Sequence, residues 1–283
     1  MTDLTKLKIA EARDALRKGE VTSVELTEAC LTAIDAADAL GAFVHKTPEI
    51  ARERAAAADA RLQAGDAPDL CGIPMGIKDL FCTRGAPSQA ASRILEGFRP
   101  EYESTVSQQL QDAGAVMLGK LNMSEFALGD PVSSASGAAR NPWDLERSPG
   151  TSSTGSGAAT AAHLCATSLG EDTGGSIRGP AANCGLVGLR PTWGRVSRYG
   201  VDGACWSIDT IGPVARTVED CAVTIGAIAG YDPQDSYTRQ TPVPDYRQAL
   251  SGNISGLKLG IVKEFLDPDA SGVTAQTRDA VLA

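Results

Sequence analysis

The chain has 283 residues, which is long for one domain but ordinary for a single α/β enzyme. Hydrophobic residues make up 42% of it and charged residues 22%, as in a typical soluble globular protein. Its net charge of −9 disfavours nonspecific binding to nucleic acids or acidic membranes, so we expect no direct nucleic-acid partner.

The termini and cysteines point to a cytoplasmic protein. The first residues lack the apolar core of a signal peptide, and no uncharged run is long enough to span a membrane. The seven cysteines are scattered and include no C-x-x-C pair, so neither a disulfide framework nor a zinc site is predicted. We therefore expect reduced thiols, no metal, no cofactor and no contact with a membrane.

The N-terminal part, residues 1–69, is predicted to form a helical layer without chemistry of its own. Thr22 and Glu25 have the spacing of a capping box before an apolar-periodic run, which predicts a helix to about Ala37. A second helix is predicted from Pro48 to about Leu62, where alanine, arginine and glutamate dominate.

A short β-prone run follows and places Lys78 among apolar residues. The lysine is flanked by Ile77, Leu80 and Phe81 and is followed by Asp79. One interpretation is that its ammonium group reaches the surface beside Asp79. The other is that it is buried, in which case desolvation lowers its pKa and makes it usable as a general base.

The rest of the chain, residues 70–283, has the alternation of an α/β protein. Helices are predicted over 104–113 and 217–230, and strands over 115–120 and 257–262. The final residues, 275–283, are predicted to open a helix that stops without a C-terminal signal.

Two loops rich in Gly, Ser and Thr stand out, at 148–157 and 170–178. The apolar segment between them, 158–169, needs burial and so argues against a flexible linker. Gly150 and Gly155 have the gap of a phosphate-binding loop, but Ser156 occupies the position of its lysine.

A histidine-dependent hydrolase is also disfavoured. The two histidines are His45, in the predicted helical layer, and His163, in an apolar helix-like run. No G-x-S-x-G elbow surrounds Ser176, and a metal hydrolase would lack ligands. A serine nucleophile without histidine needs another base, and lysine is one documented solution, which directs attention to Lys78.

Three ordered motifs resemble the amidase signature family and are spaced as in that family. They are Gly76-Ile77-Lys78-Asp79, then Pro149-Gly150-Thr151-Ser152-Ser153, then Asp172-Thr173-Gly174-Gly175-Ser176-Ile177-Arg178-Gly179-Pro180-Ala181. Flanking stretches at 188–197 and 211–217 resemble it too, so the similarity covers nearly the whole chain.

The resemblance implies a fold and a catalytic unit. The expected fold is a single α/β amidase signature domain over 1–283, with a mixed sheet covered by helices on both sides and its C-terminal part missing. By motif position, Ser176 is the nucleophile, Ser152 is a bridging serine after a cis peptide bond, and Lys78 is the base. This triad would hydrolyse an amide through an acyl-enzyme on Ser176.

The same resemblance assigns supporting roles. The backbone N–H groups of Thr173, Gly174, Gly175 and Ser176 are expected to form the oxyanion hole, and Asp172 and Arg178 to brace the loop. Two departures are Thr151 and Thr154, where the family commonly has glycine. Family members also continue well past residue 283, so the chain is expected to be a fragment or a truncated product.

Three functions remain open from the sequence. The motif Gly119-Lys120-Leu121-Asn122-Met123-Ser124-Glu125-Phe126 resembles the glutaminase subunit of tRNA-dependent amidotransferases, which would work with partner subunits. Gly179 and the run 205–210 favour a stand-alone amidase of small-molecule amides, for which a homodimer is one expected assembly, and we prefer this function. The third is an inactive truncated binding or scaffold protein.

Overall fold

The computed structural model describes residues 3–283, without the side chains of residues 268 and 270, and the chain forms two compact units that divide after Gln248. Residues 1 and 2 of the predicted helical layer lie outside the described residues. The assignment of one domain, with a layer over 1–69 and a core over 70–283, stays a prediction.

The first unit contains a mixed six-stranded sheet, as expected from the family resemblance. In spatial order β1-β3-β2-β4-β6-β5, β2 pairs in parallel with β3 and β4, and the other neighbours are antiparallel. The strands are β1 Phe43–Lys46, β2 Pro74–Lys78, β3 Val116–Leu121, β4 Thr167–Asp172, β5 Val187–Gly188 and β6 Thr210–Ala215.

Seven α-helices of the first unit surround this sheet within the described residues. They are α1 Ile9–Lys18, α2 Ser23–Ala36, α3 Pro48–Ala64, α4 Thr105–Asp112, α5 Thr154–Ala161, α6 Arg178–Cys184 and α7 Val218–Ile228. The capping box of α2 is present, with the Thr22 side chain accepting from Glu25 N–H and Glu25 accepting from Thr22 N–H at 2.8 Å.

Helices cover both faces of the sheet, and β3 is therefore buried on both sides. Its Met117 joins a core cluster with α1, α4 and α7, whereas Val116 and Leu118 join a second cluster with α2, α3 and α5. Alternate residues of a strand point to opposite faces, so each cluster belongs to one face. No helix among the described residues has the length and apolar character needed to span a membrane.

The apolar segment 158–169 is not one helix. Helix α5 ends at Ala161, His163 follows with a φ of 59°, and β4 begins at Thr167. The placement of His163 in a helix-like run was therefore wrong. A positive φ is unusual for a residue other than glycine and marks the turn between the two elements.

The second unit, 249–283, contains α8 Pro268–Ser271 and α9 Ala275–Leu282, and α9 confirms the predicted terminal helix. The predicted strand over 257–262 was wrong, because the segment has no regular secondary structure and its residues are exposed. A strand needs a hydrogen-bonding neighbour, and the described part of this unit offers none.

Candidate active site

Lys78 is the last residue of β2, and its side chain is completely buried between the parallel neighbours β3 and β4. Its Nζ donates to Ser152 Oγ at 2.7 Å and lies 3.2 Å from Glu171 Oε2. Burial lowers the pKa of Lys78 and the Glu171 carboxylate opposes that shift. Of the two interpretations from the sequence, the buried lysine is the correct one.

Ser152 follows a cis peptide bond from Thr151, as the family resemblance implies. Its side chain is buried, and its carbonyl accepts from Ser124 N–H at 3.1 Å. The next residue, Ser153, donates its N–H to the carbonyl of Ser176 at 3.3 Å. This bond joins the two Gly/Ser loops directly.

Helix α5 starts immediately after these serines, and its first turn lies against Asn122, the residue that follows β3. Gly155 packs so closely that a Cβ there would overlap the carbonyl of Ala42 and the backbone N–H of Asn122. Gly155 N–H also donates to the Asn122 carbonyl at 2.8 Å. Glycine is needed here for close backbone approach, which fixes where the loop 148–153 ends.

Ser176 lies in the loop between β4 and α6 and is half-buried. A Cβ at Gly174 or Gly175 would meet no atom within 4 Å, so the backbone there borders open space. Gly175 has a φ of 132°, a conformation that favours glycine. Its N–H donates to Asp172 Oδ1 at 2.7 Å, so this predicted oxyanion donor is engaged within the loop.

Asp172 is the centre of the same loop. Its buried carboxylate accepts from the N–H groups of Gly175 and Ile177 and from the guanidinium groups of Arg178, at 3.0 Å, and Arg190, at 2.8 Å. Burial alone would raise its pKa, but these hydrogen bonds outweigh burial and hold the pKa of Asp172 well below its ordinary value. The carboxylate is therefore ionised and clamps the loop.

Arg190 also contacts this loop, which was not predicted from the sequence. Its Nη1 donates to the carbonyls of Asp172 and Thr173 at 2.9 and 2.7 Å, and its Nη2 donates to the Ile208 carbonyl at 2.8 Å. Arg190 lies in the family-like stretch 188–197, but its role depends on the antiparallel pairing of β5 with β6, which the sequence does not reveal.

Glu171 is a second residue that sequence reasoning missed. It is completely buried in β4, and its two carboxylate oxygens contact Lys78 Nζ and Thr173 Oγ1. The parallel pairing of β2 with β4 aligns Ile77 with Leu169 and so brings the ends of the two strands together. In the sequence, nothing about a glutamate just before Asp172 indicates a role at the site unless the register of β2 with β4 is known.

A second buried lysine, Lys120, gives a useful contrast. Its Nζ donates to Ser88 Oγ and to the Phe81 carbonyl, both at 2.6 Å, and lies 3.5 Å from Asp79 Oδ1. It also donates to the Pro87 carbonyl at 3.3 Å, and the three hydrogen-bond acceptors account for its three protons, as expected of a structural ammonium group. Among residues 3–283, no group of three or more His, Cys, Asp or Glu side chains is arranged to hold a metal ion.

The architecture and the buried lysine–serine pair define an α/β protein of the amidase class. The family model described as Amidase matches residues 25–282, so the chain belongs to the amidase family. This establishes the family resemblance that the three motifs predicted.

Curated relatives at high identity are amidotransferase subunits. The chain is 61% identical over 271 residues to a glutamyl-tRNA(Gln) amidotransferase subunit of Jannaschia sp. (strain CCS1), covering 94% of the chain and 55% of the relative. The chain spans about half the length of the curated relatives it matches.

Solved structures of related proteins have the same fold. The native peptide amidase of Stenotrophomonas maltophilia superposes with a TM-score of 0.82 at 40% identity, over 87% of this chain and 53% of that one. A glutamyl-tRNA(Gln) amidotransferase subunit of Thermotoga maritima gives 0.70 at 36% identity, over 86% of this chain and 51% of that one.

Proposed function

We propose that this chain carries the catalytic unit of an amide hydrolase in which Lys78, Ser152 and Ser176 act together. The observation that carries the proposal is the 2.7 Å contact between Lys78 Nζ and Ser152 Oγ, in a buried site joined to the Ser176 loop by the Ser153–Ser176 backbone bond. Membership of the amidase family supports it.

In the proposed first step, neutral Lys78 takes a proton from Ser152 Oγ, which takes one from Ser176 Oγ. The Ser176 oxygen then attacks the amide carbonyl and forms a tetrahedral intermediate. Burial supports this role for the lysine, since desolvation favours its neutral form.

In the second step, the proton returns through Ser152 to the leaving nitrogen, and the C–N bond breaks to give an acyl-enzyme on Ser176. Water then attacks the ester while the same lysine–serine pair accepts its proton, and that proton passes to Ser176 Oγ as the bond to the acyl carbon breaks and the carboxylic acid is released. The products are one acid and one amine or ammonia, with the three side chains restored.

The backbone of the Ser176 loop is proposed to stabilise the negative charge on the intermediate. The N–H groups of Thr173, Gly174 and Ser176 are the primary candidates, because Gly175 N–H donates to Asp172. Loss of one such donor typically costs about 3–4 kcal/mol in the barrier. Asp172, paired with Arg178 and Arg190, would hold this loop in shape.

Two substrate classes have support. Glutamine hydrolysis within an amidotransferase is favoured by the 61% identity to the Jannaschia sp. protein. Hydrolysis of other amides without partner subunits is favoured by the structural comparison. The TM-score is 0.82 for the peptide amidase and 0.70 for the Thermotoga maritima amidotransferase subunit. The first would require partner subunits.

An ammonia-release assay with glutamine, simple aliphatic and aromatic amides and C-terminal peptide amides tests the proposal. We expect release from at least one class, and none from Ser176→Ala. Hydrolysis of non-glutamine amides by the isolated chain supports the stand-alone enzyme, whereas glutaminase activity that requires added amidotransferase partners supports the other. A folded chain inactive on all of them, with or without partners, favours the binding-protein alternative.

A further inference from the structure

Glu171 forms a buried chain of polar contacts that leads away from Lys78. Its Oε2 lies 3.2 Å from Lys78 Nζ, and its Oε1 lies 2.7 Å from Thr173 Oγ1. That hydroxyl is also 2.6 Å from Asp209 Oδ1, and Asp209 accepts from the N–H of Cys205 at 2.7 Å. Lys78 and Glu171 are completely buried, and Asp209 is 3% exposed.

The two short distances from the Thr173 hydroxyl oxygen to the carboxylates limit where protons can lie in this chain. A threonine hydroxyl has one proton, so Thr173 donates to only one of the two carboxylates. The other short oxygen–oxygen contact is a hydrogen bond only if a carboxyl group supplies a proton. The Thr173 hydroxyl therefore has two short carboxylate contacts but only one proton to donate.

The charged groups around Lys78 point to the same two carboxyl groups, Glu171 and Asp209. The carboxylates that act on its ammonium group are Glu171 and Asp172, both on β4, and Asp209, just before β6. Asp172 is already neutralised by its ion pairs with Arg178 and Arg190. Glu171 and Asp209 are therefore the acidic groups left to balance Lys78.

We propose that Glu171 is a positioning residue that holds the proton of Lys78 beside Ser152, with Thr173 and Asp209 completing a buried proton-sharing chain. The role of that proton in catalysis rests on the proposed function. When Lys78 becomes a base, one proton leaves its Nζ for the chain, and the same proton returns when the cycle closes. The negative charge of Glu171 also favours the protonated form of Lys78 against the effect of burial, and so raises the pH above which Lys78 is neutral.

The test is an NMR titration of the whole chain labelled with [ε-13C]lysine, with the Lys78 signal assigned by its loss in Lys78→Met. The Glu171→Gln variant keeps the shape of the side chain but removes its charge. In this variant the pH at which Lys78 is half-deprotonated, its titration midpoint, should fall by about 1–3 pH units. Lys120, paired with Asp79, supplies an internal control whose midpoint should not move.

A matched control variant is Glu28→Gln, which removes an exposed carboxylate paired with Arg52 and should leave the Lys78 midpoint unchanged. An unchanged Lys78 midpoint in folded Glu171→Gln would overturn the inference. If Glu171→Gln does not fold, Asp209→Asn is measured in its place. The midpoint pH of the Lys78 titration should then fall by a smaller amount, because Asp209 acts through Thr173. An unchanged midpoint in that variant would overturn the inference instead.

Labelling of Ser176 by a fluorophosphonate across pH separates this inference from the proposed function. If labelling occurs, the pH range over which its rate rises should move to lower pH in Glu171→Gln together with the Lys78 titration, because labelling needs neutral Lys78. Labelling that keeps the wild-type pH profile in that variant would contradict the catalytic role. If no form is labelled, the proposed function fails and the lysine titration still decides the role of Glu171.

Discussion

The Nζ of Lys78 lies 2.7 Å from the Oγ of Ser152, and neither side chain is more than 1% exposed. The lysine ends a central strand, whereas the serine belongs to a loop that enters helix α5. Because both groups are shielded from water, a proton can pass between them without bulk solvent. Variants of either residue, each with a matched control, test this relationship.

Replacing Lys78 by alanine should reduce turnover by about 10²–10⁴-fold, because general-base catalysis contributes that much. Part of the loss should return at high pH, where hydroxide or an ionised serine replaces the base. The measurement is the pH profile of amide hydrolysis. Lys120→Met is the control, since folded protein should keep the wild-type profile; a near-normal rate in Lys78→Ala would contradict the assignment.

Ser152→Ala should lower turnover by a similar factor, since it removes the acceptor of the Lys78 hydrogen bond. Ser153→Ala is a matched control on the next residue. It removes only a hydroxyl that contacts the Glu171 carbonyl at 3.3 Å and keeps the N–H bonded to Ser176. Single-turnover acylation rates compare the two, and equal losses would argue against a bridging role for Ser152.

Asp172→Asn should destabilise the protein by about 1–3 kcal/mol, because it removes the charge of a buried carboxylate that accepts from backbone N–H groups and from the partly exposed Arg178 and Arg190. Urea unfolding measures the loss. The control, Asp144→Asn, removes a surface pair with Arg147 and should cost at most about 1 kcal/mol.

The stability that Asp172 contributes should also depend on pH. Its folded pKa is lower than the ordinary value of 3.8, so the unfolded chain binds more protons at acidic pH. The contribution is complete above pH 3.8 and declines as the pH falls below that value. The stability gap between the wild type and Asp172→Asn should therefore narrow in acid, and a gap that widens in acid contradicts the pairing.

Gly155→Ala should destabilise the fold by at least about 1–3 kcal/mol, because the new methyl group would overlap backbone atoms of Ala42 and Asn122. Gly226 in α7 provides the control, since a Cβ there meets no atom within 4 Å. Gly226→Ala should stabilise by about 0.5–1 kcal/mol. Thermal unfolding compares them, and a neutral Gly155→Ala would show that the loop has room to shift.

Local sequence signals predicted several elements of the fold but not all of them. The capping box located α2, and apolar periodicity located α7. Strand β6 was missed because Gly212 and Pro213 lie within it, and proline normally argues against an inner strand. The apolar segment 257–262 resembled a strand but lacks a pairing neighbour among the described residues, and pairing is not a local property.

The candidate site shows the same contrast between residues that local motifs predict and residues whose role depends on long-range pairing. Motif order predicted Lys78, Ser152 and Ser176 as the site, and the structure brings Lys78 to Ser152 and the Ser153 N–H to the Ser176 carbonyl. Glu171 could not be found in this way, because its contact with Lys78 depends on the register of β2 with β4. Long-range pairing decides which charges meet, and no short motif encodes it.

The most direct test of the central claim is intact-protein and peptide mass spectrometry after treatment of the folded chain with a fluorophosphonate. A lysine–serine unit of the proposed kind predicts one covalent adduct, located on Ser176, that is absent in Ser176→Ala and formed at least about 100-fold more slowly in Lys78→Met. An adduct elsewhere, or labelling of Ser176 at an unchanged rate in Lys78→Met, would contradict the claim.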